Sequence, residues 1–147
     1  MSFISLGYEC SIPYGNGAKY DFIVDINGEL KRVQCKKSHY SNFHKEIDYN
    51  SFTFDATSST TNTKKTVRHK YSEEQIDYFA TYFNGNTYII PVSECSTSKT
   101  LRFSSPKNGQ KTYNKAEDYL INKFFEENEQ LISSREAYNN RFNKNSE

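Results

Sequence analysis

The chain of 147 residues has no tryptophan, one methionine, three prolines and six glycines, and nowhere does it approach the ~18 consecutive apolar residues of a membrane span. The residues before Gly7 are too few for the apolar region of a secretory signal. Cys10, Cys35 and Cys95 form no CxxC pair, and an odd number is a poor disulfide framework. Each reads as a small buried hydrophobe in a reducing compartment, so a soluble cytoplasmic protein with no membrane partner is expected. Charge of one sign is also missing. With 19 basic and 18 acidic residues the net charge is +1, so any basic surface must be local. There is no phosphate-binding P-loop, no GxGxxG and no Gly-x-Ser-x-Gly elbow, which leaves nucleotide-cofactor and serine-hydrolase chemistry without support. His39 and His44 lie near Cys35, but no fourth ligand completes a zinc pattern.

Aromatic residues are abundant. Twelve tyrosines and eleven phenylalanines supply apolar bodies that offset a mean hydropathy of -0.89, so a folded but polar protein is expected. The length suits one domain. Its core is expected over residues 1–126, followed by a helical tail over 127–147.

Residues 7–13 alternate in the manner of a short strand that ends at the Pro13-Tyr14-Gly15-Asn16-Gly17 loop. Two strand-like runs, 20–26 and 29–37, flank Asn27-Gly28, the residue pair that best tolerates the positive φ of a type I′ turn. Further strands are expected at Ser51-Phe52-Thr53-Phe54, 86–92 and Leu101-Arg102-Phe103. The stretch from Ala56 to Lys65 has almost nothing to bury and reads as a mobile loop. Ser72 and Gln75 have the form of a capping box, and Ile76, Phe79, Ala80 and Phe83 follow at helical spacing, predicting a helix over 72–83 that stops at Asn84-Gly85. From Asn114 onward the pattern is helical. Phe124, Leu131 and Tyr138 recur every seven residues, leaving open a tail that packs on its own domain or forms a coiled coil in a homo-oligomer.

Counting outward from a two-residue turn at Asn27-Gly28 sets Asp21 opposite Gln34, with Lys36 on the same face two residues further on. The other face carries Phe22, Val24, Val33 and Cys35 for the core. A carboxylate and an amide carbonyl at that separation are hard oxygen donors able to share a divalent cation, and a neighbouring ammonium balances phosphate charge. Phosphodiester hydrolysis requires these parts. The competing reading is an ordinary half-exposed hairpin, which also alternates apolar and polar residues.

Taken together, the segments Gly7-Tyr8-Glu9-Cys10-Ser11-Ile12-Pro13, Tyr20-Asp21-Phe22-Ile23-Val24 and Arg32-Val33-Gln34-Cys35-Lys36 resemble the core of PD-(D/E)XK nucleases. The branch in question places Gln before x-Lys and includes group I intron homing endonucleases. Segments 71–80, 87–92 and 116–120 are similar to it in order and spacing, so the resemblance covers about residues 7–121. It implies an α/β fold, a restriction-endonuclease-like mixed sheet core flanked by helices, with a shortened amino-terminus. It further implies that Asp21 matches the metal-binding Asp, Gln34 the second metal-side residue and Lys36 the catalytic Lys. Mg²⁺ is the implied cofactor, with Mn²⁺ as a substitute. The family begins with a helix that carries a metal-site Glu, whereas only six residues precede Gly7 here and Glu9 lies on the strand. A second chain that supplies this helix, a weakened metal site, or loss of catalysis are the alternatives.

Lys64, Lys65, Arg68 and Lys70, together with Lys37 next to the hairpin, are the expected nucleic-acid contacts, against the reading of 64–70 as a solvated charge run. The expected function is a Mg²⁺-dependent endonuclease acting on double-stranded DNA. The alternative is a nuclease-fold protein without catalysis that binds nucleic acid or a partner protein.

Overall fold

A computed structural model describes residues 2–127 and 129. The expected tail over 127–147, and with it the coiled coil, lies almost wholly outside the described residues.

One turn of helix, α1 (Ser2–Ser5), leads through Gly7 to β1 (Cys10–Ser11), which pairs antiparallel with β2 (Phe22–Ile26). Asn27 and Gly28 take φ of 56° and 85°, as a type I′ turn demands, and the Asp25 carboxylate accepts the Gly28 N–H at 2.7 Å. The return strand, β3 (Glu29–Phe43), runs 15 residues, well beyond the expected end at Lys37. It pairs first with β2, then in parallel with β7 (Tyr78–Phe83), and last with β4 (Glu46–Asp55). The turn into β4 is made by His44 and Lys45, both at positive φ although neither is Gly or Asn. β4 pairs in turn with β9 (Ser98–Arg102), and β7 with β8 (Asn86–Pro91). The result is a seven-stranded mixed sheet of the α/β class, antiparallel except for β3 and β7; among the described residues the helical elements are α1, two 3-10 turns and residues 121–127. Among the described residues no helix is long and apolar enough to cross a membrane.

Two segments differ from expectation. The stretch read as a loop from Ala56 is a separate two-stranded hairpin, β5 (Thr57–Asn62) and β6 (Lys65–Lys70), whose Thr-rich strands suit a ladder although they bury almost nothing. The helix expected over 72–83 is a single turn followed by β7. Half of the capping box forms: Gln75 Oε1 accepts the Ser72 N–H at 3.3 Å, while the N–H groups of Gln75 and Ile76 bond back to the Ser72 carbonyl. Beyond Ile76, tertiary pairing overrides the helical spacing. Tyr78-Phe79-Ala80-Thr81-Tyr82-Phe83 is aromatic and β-branched, both of its faces are covered, and Asn84-Gly85 (φ 46° and 84°) is a second hairpin turn into β8.

The sheet separates two clusters of buried side chains. Phe52, Phe54, Ile76, Phe79, Phe83, Tyr88, Ile90 and Leu101 fill one, and Phe3, Phe22, Val24, Val33, Ala80, Ile89 and Phe125 the other. Alternation along β3 and β7 assigns Val33 and Ala80 to the second cluster and leaves Gln34 and Phe79, paired in register, on the side of the first. Cys35 departs from expectation. It is exposed, at the rim of a depression of about 390 Å³ lined by Phe3, Phe22 and Ala80, where burial and then the Asp21 charge push its thiol up to about 11.

Arg32 and Asp77 clamp the parallel pairing. Asp77 Oδ2 accepts the Arg32 backbone N–H at 2.7 Å and its Nε–H at 3.0 Å, and Oδ1 accepts from a terminal nitrogen at 3.1 Å. The same guanidinium donates to the carbonyls of Glu73 and Glu74, so the turn that feeds β7 is held against β3. Partial burial raises the Asp77 pKa, but the hydrogen bonds and charge of Arg32, then the charge of Lys31, outweigh it and leave the carboxyl below its ordinary range. The ionised carboxylate therefore stabilises the fold above its unfolded pKa of about 4, and that contribution fades as pH falls through the lower folded value. Asp77→Asn is predicted to cost about 1–2 kcal/mol near neutral pH, measured by urea unfolding, and less at about pH 3. An equal cost at both pH values would show that the charge contributes nothing.

Candidate functional site

The hairpin register delivers the expected face. Phe22 pairs with Val33, so Asp21, one residue outside the strand, stands opposite Gln34. Gln34 Nε2 donates to Asp21 Oδ2 at 2.6 Å and the Cys35 backbone N–H donates to the same oxygen at 2.6 Å, so the carboxylate is fixed by two donors on one side. Among the described residues no hydrogen bond takes Asp21 Oδ1 or Gln34 Oε1. Two hard oxygens, one from an exposed carboxylate, suit a small divalent cation of the Mg²⁺ kind, which keeps several waters and borrows phosphate oxygens from its substrate. No group of three or more His, Cys, Asp or Glu side chains gathers among the described residues, and α1 carries no acidic residue. The donor set thus fits a cation completed by substrate and solvent rather than an all-protein cage.

Lys36 lies on this face but makes no ion pair with Asp21. Its Nζ donates to the Thr57 carbonyl at 2.6 Å and sits 4.8 Å from the centre of the Tyr71 ring. Burial pulls the half-buried amine below its ordinary pKa, and the charges of Asp55 and then Asp21 oppose the shift. Asp55 is itself tied down: its Oδ1 accepts the Thr57 N–H at 2.8 Å and the Thr57 hydroxyl at 2.6 Å, and Arg68 lies 3.5 Å from Oδ2. The Thr57 hydroxyl does most to hold the Asp55 carboxyl below its usual range, against burial, with the Thr57 N–H, Arg68 and Lys36 adding to it. The Tyr71 phenol is raised by burial and then by Asp21, against a hydrogen bond with Ser58.

Asp55, Thr57 and Tyr71 escaped the sequence reading as site residues. The only hint was Tyr71 at the end of a basic run; nothing local in the chain foretells that β4 and β5 meet beside Lys36. The predicted nucleic-acid contacts are split. Lys37 points from the opposite face of β3, Lys64 and Lys65 occupy the tip of the β5–β6 hairpin, and Arg68 and Lys70 lie along β6.

A family model described as PD-(D/E)XK endonuclease matches residues 1–122. Among solved structures, that of the bacterial homing endonuclease I-Ssp6803I is similar, with a TM-score of 0.62 and 21% identity over 93% of this chain and 86% of that chain. At that identity the likeness shows the fold. No curated protein sequence matches the chain.

Asp55→Asn keeps the shape and the Thr57 hydrogen bonds but removes a charge that holds the proton on Lys36. The Lys36 pKa, followed by NMR of ¹³C-labelled lysine, is predicted to fall further below its ordinary value in this variant. An unchanged titration would separate Asp55 from the site.

Proposed function

The chain belongs to the PD-(D/E)XK endonuclease family, and from that premise we propose that it hydrolyses phosphodiester bonds of double-stranded DNA with Mg²⁺, in the manner of a homing endonuclease. The carrying observation is the single polar face on which Asp21 and Gln34 are in hydrogen-bond contact and Lys36 follows two residues on. Asp21 Oδ1 and Gln34 Oε1 are the atoms that would hold the metal, Mg²⁺ or Mn²⁺. When bound, such a cation supplies Lewis-acid polarisation of a phosphoryl oxygen and a more acidic water.

The remaining work falls to the chain. Gln34 and the Cys35 N–H orient the Asp21 carboxylate, so that its outward oxygen is presented in a set direction. Lys36 brings a positive charge to the non-bridging oxygens as charge builds on the phosphate. Its lowered pKa eases transfer of a proton from Nζ to the departing oxygen. The Tyr71 ring and the Thr57 carbonyl keep the amine from wandering. The β5–β6 hairpin begins beside Lys36 and carries Lys64, Lys65, Arg68 and Lys70, a local basic surface on a chain of almost no net charge.

Lys36→Ala leaves both oxygen donors in place and removes the ammonium. Cleavage of plasmid or target DNA with Mg²⁺ is predicted to fall by about 100-fold or more, while the Kd for DNA changes only a few-fold, because a transition-state contact is lost and one phosphate contact among several. Asp21→Ala is predicted to abolish Mg²⁺-dependent cutting. Wild-type protein that binds DNA and cuts no substrate with Mg²⁺ or Mn²⁺ would replace this reading with that of a binding protein on a nuclease fold. Cutting by Lys36→Ala at the wild-type rate would remove Lys36 from the mechanism.

A further inference from the structure

The β5–β6 hairpin forms a sheet of its own and joins neither neighbour. From Thr57 to Lys70 it contains four Lys or Arg residues and a His, no acidic residue, and six further hydroxyl-bearing Ser and Thr side chains after Thr57. Every residue of β6 is exposed. At about 3.3 Å per residue the six-residue strands extend about 20 Å, which matches about six base pairs of duplex. Two paired strands fit the major groove, about 12 Å wide, and the root of the ribbon is the Thr57 carbonyl that binds Lys36.

The register divides the ribbon into two faces. Thr57 with Lys70, Ser59 with Arg68 and Thr61 with Thr66 share one; Ser58 with His69, Thr60 with Val67 and Asn62 with Lys65 share the other. On the first face Arg68 turns to Asp55, Lys70 Nζ reaches Ser96 at 3.3 Å, and Thr61 bonds Thr66. On the second, the side chains of Thr60, Lys65, Val67 and His69 have no partner among the described residues, although Val67 is apolar and 40% exposed. An unpaired hydroxyl, ammonium, imidazole and branched aliphatic group in one row are the kinds of group that read base edges and thymine methyls.

We propose that the β5–β6 ribbon enters the major groove of duplex DNA beside the scissile phosphate and reads about six base pairs through Thr60, Lys65, Val67 and His69. The assignment rests on the endonuclease reading for its ligand, and commits to DNA because the ribbon is basic and the deep, narrow major groove of an RNA duplex does not admit it. The opposite face, together with the Ser58–Tyr71 hydrogen bond at the root of the reading face, anchors the ribbon to the protein, with Arg68 tying it to Asp55 and thereby to the surroundings of Lys36.

The test is selection from a duplex DNA library with a randomised central segment, in Ca²⁺, by wild-type protein, by the triple variant Thr60→Ala/Val67→Ala/His69→Ala, and by Ser59→Ala/Thr61→Ala as the opposite-face control. Wild type is expected to select a block of about six preferred positions, each by about tenfold. The triple variant should lose that preference and bind unselected duplex within a few-fold of wild type, and the control should keep it. A block that survives the triple variant, or disappears equally in the control, overturns the assignment, as does wild type that selects no duplex DNA or prefers duplex RNA. Selection of the block by wild-type protein that never cuts with Mg²⁺ supports the ribbon's role while removing the catalytic reading, so the two are separable.

Discussion

The pairing of β2 with β3 across Asn27-Gly28 is the constraint on which the rest of the molecule depends. A slip of one residue would send every side chain of β2 to the other face and part Asp21 from Gln34. It would also pull Phe22 and Val24 out of a cluster in which both are fully packed. The positive φ at both turn residues and the apolar face therefore specify the same register independently. β3 extends that register to its other partners: from Val33 to Lys37 it lays down β7 in parallel, and from Ser38 to Phe43 it pairs with β4. The polar face thus sits where the fold has the least freedom.

The parallel strand raises a question of topology, because its return to β3 requires a crossover. Residues 44–77 provide it with strands instead of a helix. Their route carries β4 past the site, places Asp55 and Thr57 next to Lys36, sends the β5–β6 ribbon outward and brings Tyr71 back beneath the amine. The Arg32–Asp77 clamp then closes the crossover onto β3. One consequence is physical continuity between ribbon and site. Arg68 of the ribbon meets Asp55, Asp55 holds Thr57, and the Thr57 carbonyl holds Lys36.

That Asp21, Gln34 and Lys36 share one face was legible in the sequence because a two-residue turn makes the register a matter of counting. β8 was legible from a short apolar run, and the centre of β4 and the end of β9 fall at the expected Ser51-Phe52-Thr53-Phe54 and Leu101-Arg102-Phe103. Asn84-Gly85 carried the same hairpin signal as Asn27-Gly28, but the capping box before it and the helical spacing of Ile76, Phe79, Ala80 and Phe83 pointed to a helix. The strand won because both of its faces are buried, which erases alternation. The end of β3 was illegible for a different reason: its turn uses His44 and Lys45 in a conformation that sequence associates with Gly and Asn. The β5–β6 ribbon buries so little that no hydrophobic pattern announces it. Asp55, Thr57 and Tyr71 reach Lys36 only through contacts between distant parts of the chain.

The claim that Asp21 and Gln34 form a metal site is tested most directly by Mn²⁺ binding to the purified protein, followed through the loss of the free-ion paramagnetic resonance signal. If Asp21 anchors the cation, Asp21→Ala should raise the Kd for Mn²⁺ by at least about tenfold relative to wild type. Mn²⁺ bound as tightly by Asp21→Ala as by wild type would contradict it.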